Sequence, residues 1–130
     1  MSGDVWTFDR FAVGAPAGRA RVVVDGRRVD LWRGMFGPVD AGALPEALLL
    51  PVMMEAYIAA IQPRPKGNVH AGQTLDFADR PVPAGAALDF AFACANKELK
   101  GERRWVWFDV EARHGDDRVA TGTITAIWAR

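Results

Sequence analysis

Residues 44–61 read LPEALLLPVMMEAYIAAI, and from Ala47 to Ile61 the one charged side chain is Glu55. Leu50, Met54, Tyr57 and Ile61 recur at helical spacing, while Leu48, Val52, Ile58 and Ala59 fill much of the other side. A helix apolar nearly all round must be enclosed on most sides. This one is too short, and too interrupted by Pro51 and Glu55, to span a membrane. The simplest enclosure is a sheet curled around it. Pro45 suits a first-turn position. Pro51 in a helix interior would remove a hydrogen bond and cost about 3 kcal/mol, so either the regular helix starts late, near Leu48, or it kinks. PRPKG at 63–67 closes the element.

The chain after Asn68 supplies the sheet. Asn68–Ala78 carries Leu75 and Phe77, and Ala87–Leu99 sets Leu88, Phe90, Phe92 and Cys94 on one face. Arg103–Arg113 alternates Val106, Phe108, Val110 and Ala112 against Trp105, Trp107, Asp109 and Glu111. Arg118–Trp128 alternates less cleanly around TGTIT. LKGE and RHGDD are tight hairpin connections and ADRPVPAG a longer turn, so an antiparallel meander is expected.

Upstream, residues 1–19 form an extended lead-in anchored by Trp6, Phe8 and Phe11, followed by a short strand at Ala20–Val24. Asp25-Gly26 fits a two-residue hairpin turn or, with Asp25 as cap, a helix reaching about Phe36. Val29, Trp32 and Phe36 recur with a helical period, which favours the helix.

At 130 residues with half of them apolar, the chain reads as one domain, 1–130, with a genuine core. Its 16 basic and 16 acidic residues balance, which argues against a nucleic-acid binder relying on a basic surface. Cys94 is the one cysteine and falls in an alternating apolar run, where it behaves as a small hydrophobe. His70 and His114 lie far apart with no ligand set at zinc spacing, so no metal and no cofactor are expected. MSGDVWTFDR has no cationic apolar leader, and the expected setting is the cytoplasm.

One strand, a long buried helix and four antiparallel strands is the order of the hotdog fold, an α+β architecture. GNVHAGQTLDFADRPVPAG (67–85) and VATGTITAIW (119–128) resemble the C-terminal half of MaoC-like dehydratases, and FDRFAVGAPAG (8–18) resembles their lead-in. The resemblance implies a central helix wrapped by about five strands, a homodimer or higher homo-oligomer, and an acyl thioester such as acyl-CoA as ligand. It also implies a G-D-x-N-P-x-H pattern before the helix, whose Asp and His add water across an enoyl thioester; such an acid–base pair must lie within hydrogen-bond reach of the reacting atoms. Here the segment is Gly37, Pro38, Val39, Asp40, Ala41, Gly42 and Ala43. The family's Asp falls on Pro38 and its His on Ala43. Asp40 replaces the acid only with a shift of register.

Three further residues are candidates for chemistry. Glu46 lies near the helix N-terminus, where the dipole favours its ionised form. Glu55 has Pro51, Val52, Ile58 and Ala59 as its helical neighbours, and desolvation among them would raise its pKa as a general acid or base requires. Thioesterases of some hotdog families place a carboxylate on this helix. Nine residues apart, Glu46 and Glu55 point to opposite sides of a straight helix, about 900° of rotation. His70 opens the next strand, where the resemblance implies a subunit boundary and a thioester pocket. Each also has a plain structural reading: a first-turn acid, a wet stripe, a structural histidine on a strand.

Arg103 and Arg104 cluster with Lys97 and Lys100 at one hairpin, and with Arg64 and Lys66 they are candidates for the phosphates of coenzyme A. Solvated charge at a hairpin tip is the plainer account. Trp105 and Trp107 share a face and are expected to meet a partner subunit, the N-terminal segment or a ligand. Two functions therefore stand: an acyl-thioester enzyme, either hydratase/dehydratase or thioesterase, and a non-catalytic acyl-CoA binder or supporting subunit.

Overall fold

The computed structural model describes residues 4–36, 48–78, 82, 83 and 85–130, without the side chains at 32, 33, 35 and 36. A 3-10 turn at Phe8–Arg10 leads into β1 (Pro16–Val23), α1 (Gly26–Phe36) and α2 (Leu49–Ala60). Then follow β2 (Val69–Phe77), β3 (Ala87–Lys100), β4 (Arg103–His114) and β5 (Asp117–Trp128). The strands form one antiparallel sheet in the order β1-β3-β4-β5-β2.

Asp25 decides between hairpin and helix as the periodicity suggested: its carboxylate accepts the backbone N–H of Arg28 at 3.1 Å and caps α1. β1 begins earlier than the expected Ala20, at Pro16, because it continues beyond a register irregularity at Pro16/Gly18. Of the two accounts of Pro51, the late start holds. α2 begins at Leu49, so Pro51 lies in its first turn, where backbone N–H groups have no partner within the helix.

One face of the sheet meets α2. Phe90 and Phe92 on β3, Val106, Phe108 and Val110 on β4, and Ile124, Ala126 and Trp128 on β5 are buried with Leu49, Val52, Met53, Ala56 and Tyr57 of the helix. The helix is less enclosed than its composition implied. Pro51, Glu55, Ile58 and Ala59 make an exposed stripe, with Ile58 51% exposed, because the sheet covers one side of the rod. Gly18 sets the closest approach: a Cβ there would overlap the Ala60 carbonyl, so glycine lets β1 press against the end of α2. Gly122 does the same between β5 and the Thr74 carbonyl of β2.

The lead-in closes one end of this core. Phe11 is buried, stacked on Trp6 at 4.8 Å and edge-on to Phe108 and Trp128 at 5.3 and 5.0 Å. The Trp6 N–H donates to the Pro63 carbonyl at 2.8 Å, the Phe8 N–H to the Arg130 carbonyl at 2.7 Å, and the Trp128 indole N–H to the Trp6 carbonyl. No helix among the described residues is long and apolar enough to cross a membrane.

Candidate functional site

Tyr57 is the hub of the polar part of α2. Its buried ring tilts against Phe92 and Phe108 at 5.8 and 5.5 Å, and against His70 of β2 at 6.4 Å. The guanidinium of Arg64 lies over the same ring at 4.6 Å and donates to the carbonyls of Tyr57 and Ile61, both at 3.1 Å. The Tyr57 carbonyl also accepts the Ile61 N–H at 3.3 Å, so Arg64 adds a second donor at the C-terminal cap of α2. Burial pushes the Tyr57 phenol above its ordinary pKa, and the Arg64 charge partly opposes the shift.

His70 faces the helix side of the sheet, opposite Ala126, and is exposed because β2 is an edge strand. Its Nε2 meets the side-chain Oε1 of Gln73. Residues three apart on a regular strand point to opposite faces. Here the register shifts between His70 and Gly72, and this bulge returns Gln73 to the face of His70. Gln73 went unremarked in the sequence because only the bulge joins it to His70. Further along the same face come Leu75 and Phe77, both half-buried, opposite Gly122 and Ala120.

Glu55 is elsewhere. Two residues from Tyr57, it projects about 200° around the helix, onto the far flank. There Arg28 of α1 donates to both carboxylate oxygens at 2.8 and 2.6 Å, and the Glu55 side chain is 50% exposed. The desolvated carboxylate expected from its apolar neighbours is therefore corrected. Val52 turns inward, while Pro51, Ile58 and Ala59 lie on the open stripe with Glu55. Arg28, the missed partner, carried no sequence signal because it sits on another element. Within one chain the helix separates Glu55 from His70. Asp40 and Glu46, with the Gly37–Ala43 segment, lie outside the described residues.

The proposed phosphate-binding cations divide. Arg64 directs its N–H groups at the end of α2, so structure occupies it. Arg104 donates to the Ala129 carbonyl at 3.3 Å, while Arg103 and Lys66 are exposed. Gly67 lies against Ala129 and Arg104 pairs with Trp128, so Lys66, Arg103 and Arg104 gather at the end of the sheet where β2 starts with Val69 and His70. Among the described residues no group of three or more His, Cys, Asp or Glu could hold a metal ion.

A helix packed on one face of an antiparallel sheet in the order β1-β3-β4-β5-β2 has close counterparts among solved structures. A monoamine oxidase regulatory protein from Archaeoglobus fulgius superposes with a TM-score of 0.75 over 98% of this chain and 97% of that one, at 13% identity. The chain has the hotdog fold. An (R)-hydratase from A. caviae involved in PHA biosynthesis matches with a TM-score of 0.66 at 17% identity, covering 90% of this chain and 96% of that one. The fluoroacetyl-CoA thioesterase FlK matches with a TM-score of 0.65 at 17% identity, over 90% and 87%. No family model matches the chain, and no curated protein matches it closely enough to count. Hotdog neighbours thus include a hydratase and a thioesterase, while in this chain Arg64 and His70 meet the ring of Tyr57.

Proposed function

We propose that this hotdog protein binds an acyl thioester, with acyl-CoA the favoured form, along the Tyr57 flank of α2. The observation that carries the reading is the row on the helix-facing side of β2. Polar His70 and Gln73 stand at one end and half-buried Leu75 and Phe77 follow. That sequence of surfaces suits a ligand with a polar thioester and an apolar tail. Lys66, Arg103 and Arg104 at the His70 end suit the phosphates of coenzyme A. The similarity to a hydratase and a fluoroacetyl-CoA thioesterase supports the same ligand class.

The functional unit in this reading is a homodimer or larger. Among the described residues the outer edge of β2 has no strand beside it, and an unpaired edge is a template for another strand. Pairing β2 with its copy would bring a second subunit beside His70. Binding, rather than hydration, is the primary reading because Pro38 and Ala43 replace the acid and base that the resemblance implies. A second reading, thioester hydrolysis, draws on one observation: His70, in contact with Gln73, is the imidazole at the polar end of this row, the group type that serves as a general base toward water.

The test is calorimetric titration of the protein with acetyl-, crotonyl- and octanoyl-CoA, alongside assays for enoyl absorbance and released thiol. Saturable binding weakened about tenfold or more by Lys66→Ala combined with Arg103→Ala supports the proposal. Thiol release abolished by His70→Ala, with Glu55→Gln still active, selects hydrolysis. Absence of binding to every acyl-CoA overturns both.

A further inference from the structure

We infer that Trp105 and Trp107 form a subsite for the adenine ring of coenzyme A, an inference that rests on the acyl-CoA reading and extends it to the far end of the ligand. Val106 and Phe108 point into the core, so the two indoles stand on the face of β4 turned away from α2, half-buried. Their rings are stacked, 6.1 Å apart and 18° from parallel. The Lys100 ammonium lies 5.8 and 5.9 Å from the ring centres. Near-parallel indoles held in one orientation are ready to receive a third flat ring, and a purine stacks well on such a surface. The aromatic residues of the lead-in are engaged elsewhere: Phe8 bonds to Arg130, and Trp6 to Pro63 and Trp128.

The place of the pair in the fold ties it to the thioester site. Arg103 lies two residues from Trp105 on the same face, about 7 Å along the strand, and directly opposite Lys100. Glu98, opposite Trp105, meets Lys100 at 3.8 Å, so that acid is already neutralised beside the rings. Across the sheet Trp105 pairs with Ile127, and Ile127 with Val69, the residue before His70. Val69 is 52% exposed, and an apolar row about 10 Å long thus joins the start of β2 to the indoles. His70 faces the other side of the sheet. A ligand that reaches both must cross the end of the sheet, where Lys66, Arg103 and Arg104 gather. Coenzyme A has its parts in that order: thioester, pantetheine arm, pyrophosphate, then an adenosine bearing a 3′-phosphate. With the thioester at His70 and the pyrophosphate at the sheet end, the base arrives beside Arg103, over Trp105. Arg103 and Lys100 then serve the 3′-phosphate. The crossing passes over strand ends, so it stays open when the β2 edges pair.

Calorimetric titration of the full chain with octanoyl-CoA and with octanoyl-pantetheine, which lacks the nucleotide, tests this, with circular dichroism to verify folding. The parent is expected to bind the CoA form about tenfold tighter or more, and adenosine 3′,5′-bisphosphate should compete with it. Trp105→Leu and Trp107→Leu should each weaken octanoyl-CoA about tenfold and leave octanoyl-pantetheine unchanged, while Trp105→Phe, which keeps a ring, stays near the parent. Equal affinity of the parent for the two thioesters overturns the inference and leaves the acyl-thioester reading standing. So do folded leucine variants that bind both as the parent does or lose both together, and a bisphosphate that binds without competing. Binding of neither thioester overturns the inference and the reading together.

Discussion

The guanidinium of Arg28 donates from one nitrogen to both oxygens of the Glu55 carboxylate, and so ties α1 to the exposed stripe of α2. The side chains are 36% and 50% exposed, so water screens the pair and its contribution is about 0.5 kcal/mol. Urea unfolding of Arg28→Met, Glu55→Gln and the double variant should give a coupling energy of that size, shrinking in 1 M salt. A coupling near zero at low salt would show that the contact does not bind the helices.

Tyr57 is the one tyrosine in the chain, so its ionisation can be followed directly by ultraviolet absorbance. Burial raises its pKa above the unfolded value of about 10. The neutral phenol is favoured in the folded state, so its contribution to stability is intact below pH ~10 and is lost as pH rises through the folded value. Arg64 pulls the other way, so Arg64→Gln should move the titration further up. A midpoint at or below 10 in the parent protein would refute the assignment.

Gly18→Ala should destabilise by about 2 kcal/mol or more, because its methyl meets the backbone carbonyl of Ala60, which cannot rotate away. Gly72→Ala on β2 meets open space and should change stability by less than about 0.5 kcal/mol. Thermal or urea unfolding of the two variants provides the contrast. Equal effects would show that β1 does not crowd α2.

Removing the cap of α1 by Asp25→Ala should cost about 1 kcal/mol, and Asp25→Asn much less, since Asn caps as well as Asp. Unfolding free energies of the three proteins measure this. An unchanged Asp25→Ala would mean that α1 contributes little to the folded state.

Much of the architecture was legible because period-2 and period-3.6 patterns report burial directly. Phe90, Phe92 and Cys94, like Val106, Phe108 and Val110, announced which way their strands face, and the breaker-rich segments marked the turns. What stayed hidden depends on pairs that sequence spacing does not encode. Glu55 looked desolvated because Pro51, Val52, Ile58 and Ala59 are apolar, yet three of the four lie on the open side of the rod, and Arg28 arrives from α1. Arg64 looked like a free cation, but the end of α2 and the face of Tyr57 claim it. Gln73 joins His70 through a one-residue bulge, and the alternation of an edge strand gives no warning of that.

The hydrogen bond from the Phe8 N–H to the Arg130 carbonyl, at 2.7 Å, makes residues 8 and 130 neighbours in space although the whole sheet lies between them in sequence. A short Gly-rich connector could therefore join these positions, and the chain could be reopened at the exposed Gly101–Glu102 tip without severing any strand. The same adjacency would let one unit run into a second within a single polypeptide, so that gene duplication could fuse two such units with little rearrangement.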